Sequence, residues 1–360
     1  MPRSGRSRSA TGSDVASTLA EKLIGRACGR GVRPGEVVTA RVDLAMIHDS
    51  GGPRRVEPIL QELGVGLFDA SKVVLVSDHF VPGDTGEGAG ILELTRDWAR
   101  ERKVAFHDGE GICHVVLPER GHLRPGMFVV GGDSHSTTGG AFGCYMFGIG
   151  ATEMAGVLAT GEIWLRVPET ILIEWRNRLP RGVVAKDMAM ALCARLGMDG
   201  GRYQAIEYTG EAVAALSMQE RMTMSNMAAE LGAQVGLVAP DEATAAYLDA
   251  AGSDAGDWRG WRTDAGARVL EHHVFSTDAG ARVLEHHVFD AAGLAPQVAA
   301  PHSPANSAPV GEASGVPVDV AYIGACTGAK YEDLRNAADI LRGRRVAPGV
   351  SLLVAPASKR

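Results

Sequence analysis

The chain has 360 residues, 45% of them apolar, which is enough for two or three packed domains with substantial cores. A formal charge of −7 gives no global attraction to nucleic acid, and no apolar run approaches the roughly eighteen residues of a membrane span. Five cysteines (Cys28, Cys113, Cys144, Cys193, Cys326) at no framework spacing suit a reducing compartment, and the expected location is the cytoplasm.

The opening segment, MPRSGRSRSATGS, is basic and polar with no apolar stretch behind it, which predicts a disordered tail over 1–14 and not a signal peptide. EPILQELGVG then carries apolar residues at helical spacing, and KVVLV (Lys72 to Val76) is a continuous apolar run. MFVV (Met127 to Val130), TILIEW (Thr170 to Trp175), VDVAYI (Val318 to Ile323) and SLLVA (Ser351 to Ala355) are of the same kind. Such runs predict parallel strands buried on both faces. YEDLRNAADILRG places Leu334, Ala337, Ala338 and Leu341 at helical spacing and stops at Gly343. Strands alternating with helices predict an α/β protein with more than one sheet. The expected divisions are a first α/β domain over 15–170, a second over 171–300 and the start of a third over 301–360.

Thr263 to Ser276, TDAGARVLEHHVFS, is followed at once by Thr277 to Asp290, TDAGARVLEHHVFD. Two copies are too few for a solenoid. The expectation is a local duplication in a surface hairpin or loop, where added length costs little closure entropy. Its histidines (His272, His273, His286, His287) have the chemistry of metal ligands, but duplication alone accounts for their spacing. Ala291 to Pro317, rich in Ala, Pro, Ser and Gly, reads as a linker.

Reactive residue types gather where strands are predicted to end. Asp78 and His79 follow KVVLVS; Asp133, Ser134 and His135 follow MFVVGG; Cys326 and Thr327 follow VDVAYIGA. In open α/β sheets ligands bind beyond the carboxyl ends of strands, and an Asp beside a His can orient the imidazole and raise its pKa for acid–base work. The glycines around Asp133 permit tight turns and close approach of a ligand to the backbone.

The stretch GICHVVLPERGHLRPGMFVVGGDSHSTTGGAFGCYMFGIGATEMAGVLATGEIW resembles the central signature of the aconitase and isopropylmalate dehydratase superfamily. DHFVPGDT, RMTMSNMAAELGA and IGACTGAKYEDLRNAADILRGRRVAPGV resemble three more of its blocks, in the family's order. The resemblance runs from about Asp14 to the C-terminus and implies aconitase-like three-layer α/β/α domains of a large subunit, without the swivelling domain. It implies that Asp78 and His79 protonate a departing hydroxyl, and that His114, Asp133, Ser134 and His135 surround cluster and substrate with Asn226 and Glu230 in support. Independently, Asn226 and Glu230 stand four apart and would share a face if their segment is helical. Cys326 matches the first of three thiolate ligands of a [4Fe–4S] cluster whose open iron acts as a Lewis acid, and a short helix is expected to start near Thr327. A small partner subunit would carry the swivelling domain, an alkoxide base and a carboxylate-binding arginine; neither nucleic acid nor membrane is implied.

Two departures stand out. The family's Cys-Thr-Asn is here Cys326-Thr327-Gly328, so an amide hydrogen bond must come from elsewhere; and no Cys-x-x-Cys occurs in the chain to supply the other two ligands. The expectation is a C-terminally truncated large subunit. The implied activity is isomerisation of a 2-hydroxy polycarboxylate by dehydration and rehydration, of the 3-isopropylmalate dehydratase type in leucine biosynthesis. Homoaconitate, citrate or a dimethylmalate are alternative substrates. A catalytically inactive remnant is an alternative of another class, and a zinc hydrolase using His79, His114 and His135 rests on ligand type alone.

Overall fold

The computed structural model describes residues 16–84, 86–276, 288–290 and 293–360. The tail expected over 1–14 and His286 and His287 of the second repeat copy lie outside the described residues.

A first five-stranded sheet runs in the order Ala105–Asp108, Val73–Ser77, Leu44–His48, Phe128–Gly131, Tyr145–Gly148, with every pair parallel. Its strands are continuous apolar runs because both faces are covered. Ala45, Ile47, Val73, Leu75, Phe128 and Val130 enter one core, while Leu44, Met46, Val74, Val76 and Val129, one residue out of step, enter another. The helices Pro53–Leu63, Gly86–Arg102 and Cys113–Glu119 follow its first three strands in the chain. Pro53 starts the first of these helices and Gly64, in the left-handed region at φ 65, ends it. In chain order the strands step outward from Leu44–His48 on one side and then return to the other. The order therefore reverses between Leu44–His48 and Phe128–Gly131, the place in an open α/β sheet beyond whose strand ends ligands bind.

The second sheet repeats the same strand order: Val235–Val238, Ala205–Thr209, Thr170–Trp175, Glu271–Ser276, Val288–Asp290, again all parallel. Ile171, Ile173, Trp175, Ile206 and Tyr208 share a core with Met188, Ala189 and Leu192 of the helix Ala185–Leu196. The segment expected to be a linker contains a small antiparallel pair, Gln297–Ala299 with Ser307–Pro309, and Gln297 N–H donates to Asp187 Oδ1 at 2.7 Å. Proline and alanine content alone does not distinguish a linker from a short ordered hairpin.

The first repeat copy is not a surface loop. Its Glu271–Ser276 is a strand paired with Thr170–Trp175, Val274 is fully buried, and His272 Nε2 lies 2.8 Å from Glu174 Oε2. Thr263 Oγ1 accepts from Leu19 N–H at 2.8 Å and Asp264 accepts from Ser17 N–H at 2.9 Å. The next copy pairs with it in parallel, Val274 to Val288, Phe275 to Phe289 and Ser276 to Asp290, so equivalent positions of the two copies meet. Deleting Thr263–Ser276 leaves TDAGARVLEHHVFD to occupy the same place beside Thr170–Trp175. The expected result is an unchanged or raised thermal midpoint. A loss above about 2 kcal/mol would show that the copies are not interchangeable.

The last strands, Val320–Ile323 and Ser351–Val354, pair in parallel with each other alone among the described residues. Here the expectation of burial on both faces fails: Val320, Tyr322, Leu353 and Val354 are each more than half exposed. Two strands with the helix Tyr331–Leu341, none of whose residues is fully buried, make too few layers to close a core. The unit is tied to the first sheet's side through Ala329 and Ala357, which enter its core, and through a bridge between Gly111 and Ser358.

Candidate active site

Three loops at the carboxyl ends of the first sheet converge. From Leu44–His48 come His48 and Asp49, from Val73–Ser77 come Asp78 and His79, and from Phe128–Gly131 come Gly132 and Asp133. His79 Nδ1 lies 2.7 Å from Asp78 Oδ1, and the other Asp78 oxygen accepts Cys113 N–H at 2.7 Å. Asp49 accepts the N–H groups of His79 and Phe80 at 3.1 and 3.0 Å, which fixes the loop that carries the imidazole. The second His79 nitrogen, Nε2, is 3.9 Å from Asp133 Oδ2. Hydrogen bonding to Asp78 raises the His79 pKa against the opposing effect of burial. Burial alone would raise Asp78, but the bonds from His79 and Cys113 outweigh it and leave the carboxyl lowered.

Asp133 is the hub of a second group. It caps the 3₁₀ turns of Ser134–Phe142, accepting His135 N–H at 2.7 Å, and the same oxygen lies 2.8 Å from His114 Nε2. His135 Nε2 in turn meets Glu230 Oε1 at 3.1 Å. Burial pushes Asp133 upward, but the bonds from His114 and His135 overcome it and hold the carboxyl far below the usual range. His135 is pushed up to about 10 by its bonds to Asp133 and Glu230. It is therefore a fixed cation at neutral pH and too weak an acid to deliver protons there. Ser134 is exposed, its hydroxyl 3.4 Å from His135 Nδ1. His114 is almost fully buried beneath Asp133, so it orients the carboxylate from below.

Because a His135 pKa of about 10 lies above the unfolded value near 6.5, the folded state gains stability from its proton. That stability is complete below about pH 6.5 and is lost as pH rises through about 10. Thermal midpoints are thus expected to fall between pH 7 and 10, and the His135→Gln variant to lack that part of the fall.

Asn226 and Glu230 both reach the group, although not from one helix. The helix Met218–Asn226, started by a Ser217–Glu220 capping box, ends at Asn226, and tighter turns carry the chain to Glu230. Asn226 Nδ2 donates to Thr138 Oγ1 at 2.8 Å and to Cys326 Sγ at 3.3 Å. Asn226 thus brings a side-chain amide to the Cys326 thiol. No helix begins at Thr327: Cys326 to Gly328 form a turn, and the helix starts at Tyr331 with Lys330 as its cap. Lys330 Nζ donates to Cys326 O at 3.1 Å and to Thr223 Oγ1 at 2.8 Å.

His48 and Asp49 are absent from the expected site. The available signal was LAMIHDSGG, an apolar run ending in His-Asp and glycines, the same pattern that singled out Asp133. The donor atoms of His48, Asp49, Asp78 and His79 lie within 4.8 Å of one another, as do those of His114, Asp133 and His135. Most of these atoms already hydrogen-bond to one another or to backbone, which describes a proton network more closely than a metal cage. No described cation of Lys or Arg is hydrogen-bonded to Asp78, Asp133 or Glu230.

A [4Fe–4S] cluster requires several thiolates, and the site offers Cys326. Cys113 is fully buried at the start of its helix, and burial raises its thiol well above the ordinary range. Cys144 and Cys193 belong to the hydrophobic cores, and Cys28 lies on the helix Leu19–Cys28. These residues do not by themselves fit such a cluster.

The aconitase family (aconitate hydratase) matches residues 93–315 and 308–360. The chain is 43% identical over 348 residues to the 3-isopropylmalate dehydratase large subunit 1 of Methanopyrus kandleri, covering 96% of this chain and 79% of that protein. It is 40% identical over 352 residues to the probable methanogen homoaconitase large subunit of Methanothermobacter thermautotrophicus, covering 96% and 78%. The crystal structure of Thermococcus kodakaraensis aconitase X (holo-form) overlaps it at a TM-score of 0.49 and 13% identity, covering 89% of this chain and 79% of that one. Among the described residues no helix is long and apolar enough to cross a membrane. An α/β chain that matches the family over most of its length, and whose relatives carry dehydratase names, belongs to the aconitase family of hydro-lyases, which generally use a [4Fe–4S] cluster.

Proposed function

We propose that this chain is the large subunit of a two-subunit hydro-lyase that isomerises 3-isopropylmalate, with homoaconitate, citrate and a dimethylmalate as the competing substrates. The observation that carries the reading is the His79 geometry. With Nδ1 held by Asp78 and Nε2 turned towards Asp133, protonated His79 has one proton free to give, at Nε2. Delivered to the departing hydroxyl as its C–O bond breaks, that proton leaves as water and His79 becomes neutral. Rehydration reverses the transfer, water giving its proton back to Nε2. His135, held as a cation, attracts a substrate carboxylate, and Glu230 and Asp133 keep it charged.

The charge balance of the site supports a partner. Asp78, Asp133 and Glu230 surround His79, His114 and His135 with no described Lys or Arg hydrogen-bonded to them, whereas a polycarboxylate needs more positive charge than that. We assign the missing guanidinium and the base for the carbon-bound proton to a small subunit carrying the swivelling domain. His79 and His135 are each about one-third exposed, which leaves the group open for a second surface to cover. The direct test of substrate is conversion of each candidate acid to its unsaturated product, followed by ultraviolet absorbance, in the cluster-loaded assembly. Loss of 3-isopropylmalate turnover with brisk turnover of another acid would reassign the substrate.

Cys326 is the thiolate we assign to the cluster, with further ligands from outside these 360 residues. Anaerobic addition of iron and sulfide to this chain alone is accordingly expected to give little bound [4Fe–4S]. A stable, stoichiometric brown product would show that other residues are the ligands. The single thiol also favours a second reading, an inactive chain that acts through assembly alone. Failure to load a cluster even with the partner present would select it.

A further inference from the structure

His48 stacks on the proposed acid. Its ring lies 4.2 Å from that of His79 with an interplanar angle of 15°, and the residue is 3% exposed. Both of its nitrogens are committed to backbone. Nδ1 accepts the Gly51 N–H at 3.3 Å, and Nε2 stands 2.8 Å from the carbonyl oxygen of Gly132. An N–H can approach Nδ1 only if that atom carries no hydrogen, and a carbonyl can be bonded only by a nitrogen that does. The two contacts together require the neutral imidazole with its hydrogen on Nε2.

We infer that His48 is a positioning residue: a neutral aromatic shelf, locked between the loops of two adjacent strands, on which the ring of His79 is laid flat with its Nε2 edge towards Asp133. The inference rests on the reading of His79 as the acid. Its logic is electrostatic as well as steric. Two parallel imidazoles in contact cannot both hold charge cheaply. Backbone partners keep the charge off His48, while Asp78 and Asp49 draw it to His79 at 2.7 and 3.7 Å. The groups acting on His48 are His79, Asp78 and Asp133, and burial with the His79 charge lowers its pKa. His48 also bridges the point where the strand order reverses, since it leaves the strand Leu44–His48 and bonds the residue after Phe128–Gly131. A shift of either strand end would therefore move the acid.

The test uses the 360-residue chain with isotopically labelled histidine. Nitrogen chemical shifts from pH 5.5 to 8.5 are expected to show His48 neutral with its hydrogen on Nε2 throughout, while His79 changes protonation. A His48 that titrates, or carries its hydrogen on Nδ1, overturns the inference whatever the activity of the enzyme. In the loaded assembly His48→Ala is expected to lower kcat about tenfold or more with KM little changed, as for a misplaced reacting group. His48→Phe, which restores the flat face without the nitrogens, should recover most of that loss. Equal losses in the two variants at normal thermal midpoints would refute the shelf. Absence of turnover in the unaltered assembly would instead count against the proposed function and leave the tautomer result standing.

Discussion

Replacing Arg221 by Leu is expected to lower unfolding free energy by about 1–3 kcal/mol, the cost of leaving buried acceptors without their donor, since its partner Asp241 is itself partly exposed. Its side chain is fully buried, yet every contact is answered. Two nitrogens meet the two oxygens of Asp241 at 2.8 and 2.7 Å, Nε reaches Leu216 O at 3.2 Å, and the guanidinium also reaches Ala214 O at 2.9 Å. Asp241 is itself the cap of the helix Glu242–Ala250, so one guanidinium joins that helix to Met218–Asn226, which delivers Asn226 to the site. Lysine cannot replace the planar fork, and Arg221→Lys should retain only part of the loss. Chemical denaturation measures both. A Leu variant within 1 kcal/mol of the parent, roughly the size of an ordinary surface change, would mean the pair contributes little to the fold.

In the cluster-loaded assembly Asp133→Asn is expected to reduce kcat by about 10²–10⁴-fold, as for loss of an acid–base or electrostatic group. The carboxylate has three neighbours, His114 below, His135 beside it and His79 Nε2 at 3.9 Å. An amide keeps the shape but removes the charge that holds His135 protonated, and one of its two ends would present N–H to a donor. The fold should persist, because the residue belongs to a strand-end loop. An Asn variant that melts early but keeps full activity per folded molecule would make Asp133 structural.

The first sheet was legible because its strands are buried on both faces and so carry continuous apolar runs, as in KVVLV and MFVV. The failure at VDVAYI and SLLVA has the same root: the pattern reports that residues are fit for burial, not that enough layers exist to bury them. The duplication misled for a different reason. Repeats are tolerated in loops by entropy, but this one contains EHHVF, a strand able to pair with its own copy, and pairing decided the outcome. At the site, Asp78, His79, Asp133 and His135 could be found because sequence places them directly after apolar runs. His48 was harder, since its importance lies in a ring stack on His79 and in a bond to the Gly132 carbonyl 84 positions away. The Asn226 contact to Cys326, 100 positions apart, is equally invisible before folding.

The most direct measurement is the initial rate of dehydration of 3-isopropylmalate by the cluster-loaded assembly, compared between the unaltered chain and His79→Gln. The glutamine can still reach Asp78 but has no proton to give to the leaving hydroxyl. Turnover by the unaltered assembly is expected, with a loss of about 10²–10⁴-fold in the variant at an unchanged thermal midpoint. Comparable rates in the two proteins would contradict the assignment of the acid, because the hydroxyl would then depart without the proton of His79.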